Sequence, residues 1–223
     1  MFLIFIAGAS ASGKSSIAGA LLQDLLNEGR TAQILSMDNY FRERPQDDQD
    51  PRAYRLNTNF DLPERLDFDL LMAHLQQLSE GIPVEQPIFQ FESNRRIGVQ
   101  TISPSEFIII EGMFAQYFFK QYINHHQPSL SIFVTVDSYL DILNRRKIRD
   151  KTERDRSAEI VTRQERRDGG PGFFQFTAQY ASHSDLHIHN NHRTDQHYTD
   201  IINEIKMAID EKQQRHGLGA GQA

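Results

Sequence analysis

Gly8-Ala9-Ser10-Ala11-Ser12-Gly13-Lys14-Ser15 follows directly on the apolar run Phe2-Leu3-Ile4-Phe5-Ile6, and no other stretch constrains the fold as much. The octet fits G-x-x-x-x-G-K-[ST] at every fixed position. It stands between a short run suited to a buried strand and a helix-compatible stretch carrying Ile17, Leu21, Leu22, Leu25 and Leu26. Small residues let a loop wrap closely round a polyphosphate, and its backbone N–H groups become donors. The helix that follows aims its positive N-terminal end at the same charge. Phosphates of a nucleoside triphosphate are therefore expected on Gly8, Ser10, Ser12, Gly13, Lys14, Ser15 and Ser16. Lys14 is expected to reach the β- and γ-phosphates, and Ser15 to ligate Mg²⁺.

The rest of the chain supplies an α/β frame for such a loop. Thr31–Ser36, Phe107–Ile110, Ser131–Val136 and Leu186–Ile188 predict further strands. The Ile-rich run of the second is the pattern of a central parallel strand covered on both faces. Helical spacing predicts helices over Asp67–Ser79, Asp137–Arg149 and Tyr198–Gln213, and Met37–Asn59 reads as a polar loop. Val84–Phe91 and Gly98–Ile102 predict an inserted antiparallel hairpin. Strands alternating with helices imply an α/β, doubly wound parallel sheet of the P-loop NTPase type, with helices on both faces and the ligand at the carboxyl ends of the strands. We expect one domain over 1–216, with the hairpin at 82–103, a lid region at 145–172 and a flexible tail at 217–223.

Bulk properties exclude several classes. Of 223 residues, 39% are hydrophobic and 24% charged, and the formal net charge is −6. That balance gives no reason to expect nucleic acid or an anionic membrane as a partner. Absence of cysteine removes disulfide, Fe–S and thiol chemistry and suits the cytoplasm. The first apolar run is too short for a signal peptide or a membrane span.

Three carboxylates stand out: Asp38 and Glu111 directly follow predicted strands, and Asp61 lies in the intervening loop, within Asn59-Phe60-Asp61. Phosphoryl transfer needs acidic oxygen ligands for Mg²⁺ and an acceptor-only group to take the nucleophile's proton. Glu111 suits the metal shell and Asp38 the base, while a helix cap or a solvated acid is the plainer reading of each. Arg145, Arg146, Lys147, Arg149, Arg154 and Arg156 form either a solvated helical face or a cationic lid over the transferring group. Arg166-Arg167 with Gly169, Gly170, Pro171 and Gly172 reads equally as a hinge or as a break between helices. His183, His187, His189 and His192 cluster round the last predicted strand, where the alternation Leu186-His187-Ile188-His189 reads as an exposed edge, with a metal site the less economical reading, and His125-His126 form a further pair. No guanine-reading N-K-x-D or D-x-x-G switch segment is present, which argues against a GTPase switch.

In order along Phe2–Ile188, the chain resembles the uridine kinase/phosphoribulokinase family, nearest its uridine–cytidine kinase branch. Besides the phosphate loop, Ser36-Met37-Asp38-Asn39-Tyr40-Phe41 is similar to the family's S-x-D-x-F-Y, and Asn59-Phe60-Asp61-Leu62-Pro63 to N-F-D-x-P. Gly81-Ile82-Pro83-Val84 and Pro87-Ile88-Phe89-Gln90-Phe91 are similar to G-x-x-V and P-x-Y-D-F. Ile110-Glu111-Gly112 is similar to L-E-G, and Arg145–Asp150 with Glu153–Arg156 to the R-R-x-x-R-D and E-R-G-R lid. The resemblance implies an ATP- and Mg²⁺-dependent kinase of a small-molecule hydroxyl, with a nucleoside 5′-hydroxyl first among acceptors. Another nucleoside, a sugar phosphate, glycerate or pantothenate are the alternatives, and a non-catalytic nucleotide-binding regulator a more distant one. It makes Asp38 the base beside Mg²⁺, with Ser15 and Glu111 completing the metal's neighbourhood. Asp61, Arg146 and Gln164 would hold ribose hydroxyls, and Phe60 and Phe91 would pack about the base. Arg149, with Arg154 and Arg156, would cover the phosphates, Lys14 and Arg149 acting in the transfer itself. Family members often assemble from several subunits. Departures gather where the family reads the base edge: Phe89 stands for its tyrosine, Gln90 for its acid and Asn94 for its histidine. The lid's usual Gly is Asp155, and Tyr40-Phe41 is inverted.

Overall fold

The computed structural model describes residues 1–123, 128–153, 157–192, 194–215 and 217. Its frame is a parallel sheet of five strands, β1 (Phe2–Gly8), β2 (Ala32–Ser36), β5 (Phe107–Glu111), β6 (Ser129–Thr135) and β7 (Leu186–His189), in the order β2-β5-β1-β6-β7. β1 is the middle strand. The Ile-rich β5 lies one place from it, paired in register with both β1 and β2. Every residue of β1 and of β5 is buried, as strands covered on two faces require.

Side chains of β1 alternate strictly between two cores, following the period of two along a strand. Leu3, Phe5 and Ala7 face α3 (Phe68–Ser79), α4 (Ala115–Tyr122) and the hairpin. Phe2, Ile4 and Ile6 face α1 (Lys14–Asn27) and α8 (Asp195–Arg215), whose Ile201, Ile202, Ile205 and Ile209 form the buried stripe. Each fully buried Ile, Leu or Phe contributes about 1.5–3 kcal/mol, so this double layer is the main source of stability.

Smaller elements stand round the carboxyl edge of the sheet. The hairpin is β3 (Val84–Gln90) against β4 (Arg95–Ile102), antiparallel, with a bulge at Ile88/Phe89. The polar stretch expected as a loop contains a 3-10 turn, Met37–Tyr40, and a short helix, α2 (Pro51–Asn57). α2 starts as its residues dictate: the Asp50 carboxylate accepts from the amides of Arg52 and Ala53, both at 2.9 Å, and Pro51 takes the first helical position. It buries no side chain, so it leaves no apolar stripe to read.

α5 (Tyr139–Glu153) runs four residues past the expected end, and α6 (Ala158–Gln164), capped by the Ser157 hydroxyl on the Ile160 amide, follows. α6 continues through one turn of π-helix, Glu165–Gly169, into α7 (Gly170–Phe176). The Gly-Gly-Pro-Gly stretch, read as hinge or break, is therefore continuous helical backbone. Among the described residues, no helix is long and apolar enough to cross a membrane. Of the expected tail only Gly217 lies within the described residues, in a turn at φ 69°.

Candidate active site

The phosphate loop joins β1 to α1 at the carboxyl edge of the sheet. Gly8 has φ 152°, where a Cβ would stand 2.5 Å from the carbonyl oxygen of Val134. Ala11 at φ 68° and Gly13 at φ 97° are left-handed, which turns successive amides of the loop toward one side. Ser12 is fully buried, its amide donating to Ala9 O at 3.1 Å, while Ser15 and Ser16 are exposed at the head of α1. Lys14 is 9% exposed and its Nζ reaches Ala9 O at 3.4 Å.

Glu111 closes β5 beneath the loop. Its two carboxylate oxygens accept from Ser15 Oγ at 2.9 Å and Ser36 Oγ at 2.5 Å. A side chain at the next position would collide with Met37, its Cβ 2.6 Å away, so Gly112 lets the β5 turn pack against the turn that carries Asp38. Asp38 is exposed into the cavity beside Lys14 and Ser15. Ser15 at the head of α1, Asp38 in the turn after β2 and Glu111 at the end of β5 are hard oxygen donors of the kind Mg²⁺ takes.

The same cavity extends beyond the phosphate loop. Ser10, Lys14, Ser15, Asp38 and Arg149 line it near the loop, and Asp61, Arg146, Gln164, Phe60 and Phe91 line it further out. Arg149 Nη2 donates to Ser10 Oγ at 3.1 Å and pairs with Asp150 at 2.7 Å, which ties α5 to the loop. Arg146 is buried, bound to Glu165 at 2.5 Å, with Tyr139 donating to the other carboxylate oxygen of Glu165. Burial drives the Asp61 carboxyl above the usual range, and the neighbouring Arg146 offsets that only in part because Glu165, Asp168 and Asp38 oppose it. The same burial keeps the Tyr40 hydroxyl protonated, held at 2.9 Å from His74 Nδ1 behind the Asp38 turn.

The two departures at the base edge take other places. Asn94 is fully buried in the turn of the hairpin at φ 52°, donating from Nδ2 to Pro51 O at 3.0 Å. It does not line the cavity, which corrects its expected place against the acceptor. Phe89 is likewise behind the wall, its ring 5.6 Å from Phe41 and 5.2 Å from Phe91, its amide donating to Asn39 Oδ1 at 3.1 Å. Thr58, Met113 and Asp168, which carry no motif of their own, also line the cavity, as does Phe41 of the inverted Tyr40-Phe41 pair. Arg154 and Arg156 lie outside the described residues, as do His125 and His126. On the edge strand, His187 packs on Phe133 at 6.1 Å and His189 Nδ1 lies 3.2 Å from Thr135 Oγ1, both exposed.

A parallel sheet with a phosphate loop on its middle strand, two carboxylates beside that loop and cationic helices across the cavity is the architecture of a P-loop nucleotide-binding phosphotransferase. Comparison with known proteins narrows the class. The profile of the Phosphoribulokinase / Uridine kinase family matches residues 3–197, and the chain belongs to that family. It is 36% identical over 190 residues to a uridine kinase of Pasteurella multocida, covering 83% of this chain and 84% of that protein. It is 36% identical over 188 residues to a uridine kinase of Psychromonas ingrahamii, covering 82% and 85%. Among solved structures, a "Possible Uridine Kinase from Bacillus stearothermophilus" superposes with a TM-score of 0.55 at 18% identity, over 84% of this chain and 88% of that one, and shares the fold. The protein is thus an enzyme that transfers a phosphoryl group to a hydroxyl.

Proposed function

We propose that the chain transfers the γ-phosphoryl group of ATP, with Mg²⁺, to a primary hydroxyl, and that the acceptor is the 5′-hydroxyl of a nucleoside such as uridine or cytidine. One observation supports this reading above the others: Asp38, the phosphate-loop residues Lys14 and Ser15, and Asp61 with Arg146 all line a single cavity. On this reading Asp38 takes the acceptor's proton, and Lys14 and Arg149 hold negative charge on the transferring group. Ser15, Asp38 and Glu111 would hold Mg²⁺, which when bound screens the phosphate charge. Asp61, Arg146 and Gln164 orient the sugar hydroxyls, and Phe41, Phe60 and Phe91 give the base an apolar wall. The cysteine-free composition supports a cytoplasmic place of action.

Charge favours a neutral acceptor over the alternatives. Asp61, Glu165 and Asp168 are 8%, 6% and 6% exposed, and facing them are Arg146 and Arg167, the latter held by Asp168 at 2.5 Å. A sugar phosphate, glycerate or pantothenate would bring a further negative charge against this group in a poorly solvated site. The uridine kinase relatives support the same choice.

The test is a phosphoryl-transfer screen with ATP and Mg²⁺ against nucleosides, glycerate, pantothenate and sugar phosphates, with products identified by mass. Uridine or cytidine 5′-monophosphate is the expected product; turnover confined to an anionic acceptor would overturn the reading. Asp38→Asn should lower kcat by about 10²–10⁴-fold with nucleotide binding retained.

A further inference from the structure

Asn190 follows the edge strand β7, 178 residues along the chain from Ser12, and is fully buried. Its amide donates to Thr135 O at 2.8 Å, which fixes its backbone to β6. Its Nδ2 donates to Ser12 O at 2.8 Å, between the two left-handed residues Ala11 and Gly13. The fit is close enough that a Cβ on Gly13 would stand 2.0 Å from the same Nδ2. Its carbonyl accepts from Arg145 Nη1 at 2.8 Å, and Arg145 Nη2 reaches Asn191 O at 3.2 Å. Asn191 in turn accepts from the Asp137 amide at 2.9 Å, so the adjacent asparagine holds the turn before α5.

A loop that binds phosphate through its amides must keep them converging before ligand arrives, because ordering them on binding would cost affinity. Ala11 in particular holds a conformation that residues with a side chain adopt only when their surroundings impose it. From this geometry we infer that Asn190 is a positioning residue for the phosphate loop: it holds the Ser12 peptide so that the loop stays shaped for phosphate. Through Arg145, the same residue joins that loop to the helix carrying Arg146 and Arg149. The inference rests on the nucleotide reading of the loop given above.

Asn190→Ala removes the donor, and Asn190→Asp keeps the shape while facing Ser12 O with an oxygen that cannot donate when ionised. Asn191→Ala is the control. Two measurements decide: amide hydrogen exchange of residues 9–15 in the ligand-free chain, and steady-state KM for nucleotide and for acceptor separately. Expected for Asn190→Ala are faster exchange in the loop with β1 unchanged, a nucleotide KM raised about fivefold or more, and an acceptor KM within twofold of the parent. That size is what one buried hydrogen bond supports. Asn190→Asp should do the same, which covers the case in which the alanine variant does not fold, and Asn191→Ala should leave loop exchange as it was. Unchanged loop exchange in both Asn190 variants, or nucleotide and acceptor KM rising together, overturns the assignment. If the parent chain turned over no nucleotide at all, the kinase reading would fall, while loop exchange would still decide the role of Asn190.

Discussion

Asp61 illustrates how one side chain can serve a site at the expense of the fold. The carboxylate lines the cavity at 8% exposure, and burial, more than the opposing Arg146, governs its acidity. Its pKa is raised in the folded chain, so the folded state holds the proton more tightly than the unfolded one. Stability from this group is therefore full below the ordinary carboxylate value of 3.8 and is lost as the pH climbs from there through the raised folded value. Asp61→Asn removes that cost. Thermal melting of the variant should exceed that of the parent at pH 7–8, and the difference should shrink as the pH falls toward 4. On the proposed reading, in which Asp61 faces sugar hydroxyls, acceptor KM should rise by at least about tenfold in the same variant, because an amide replaces an acceptor-only group. A variant no more stable than the parent at pH 8 would show that the Arg146 pairing outweighs burial.

At the scale of elements, α7 is set by what its glycines leave out. A Cβ on Gly172 would meet the carbonyl oxygen of Asp61 at 2.4 Å, and one on Gly169 would meet Arg146 Nη1 and Glu165 Oε2 at 2.7 Å. Neither glycine has a positive φ, so what each allows is close approach, Gly172 to the Asp61 backbone and Gly169 to the Arg146–Glu165 ion pair. Gly172→Ala should cost about 1–3 kcal/mol of stability through overpacking. It should also raise acceptor KM several-fold with nucleotide KM unchanged, as steady-state kinetics would register; equal effects on both substrates would contradict the packing argument. These contacts explain what the sequence left open. A Gly-Gly-Pro-Gly stretch carries the local signal of a break, and only the neighbouring Asp61 backbone reveals a tight helix packing. Glu165 and Asp168 have the local appearance of solvated charges, and their burial depends on Arg146 and Arg167, which no spacing rule connects to them. By contrast β1, β5, the phosphate loop and the places of Asp38 and Glu111 at the ends of strands are legible, because their signal is local: buried strands read as unbroken apolar runs, and the loop is contiguous. Asn94 misled for the opposite reason, since a turn residue at φ 52° spends its amide on Pro51 rather than on a ligand.

In the molecule as a whole, the sheet core and the wall of the cavity proposed to take the acceptor are held by different kinds of contact. The sheet and its two helical layers contain Ile4, with no exposed surface, while the wall of the cavity is tied down by long polar side chains. Arg167 Nη1 bonds Leu56 O at 2.8 Å, Gln164 Nε2 bonds Arg55 O at 3.3 Å, and Arg55 bonds the carbonyl of Phe91. These straps join α6 and the π-turn to α2, and α2 to the hairpin. Partly exposed polar straps contribute about 1 kcal/mol or less each to global stability, whereas truncating a fully buried isoleucine costs about 2–5 kcal/mol. The two kinds of substitution should therefore separate. Ile4→Ala should lower the melting temperature by several degrees with both KM values near those of the parent. Arg167→Ala leaves Asp168 to be hydrated by local opening of the wall, and should therefore lower the melting temperature by less than Ile4→Ala does. It should also speed amide exchange across 51–60 and raise acceptor KM several-fold. If Arg167→Ala instead melted as low as Ile4→Ala, the acceptor wall would belong to the cooperative core. Local opening at 51–60 could then not admit the acceptor without unfolding the sheet beneath it.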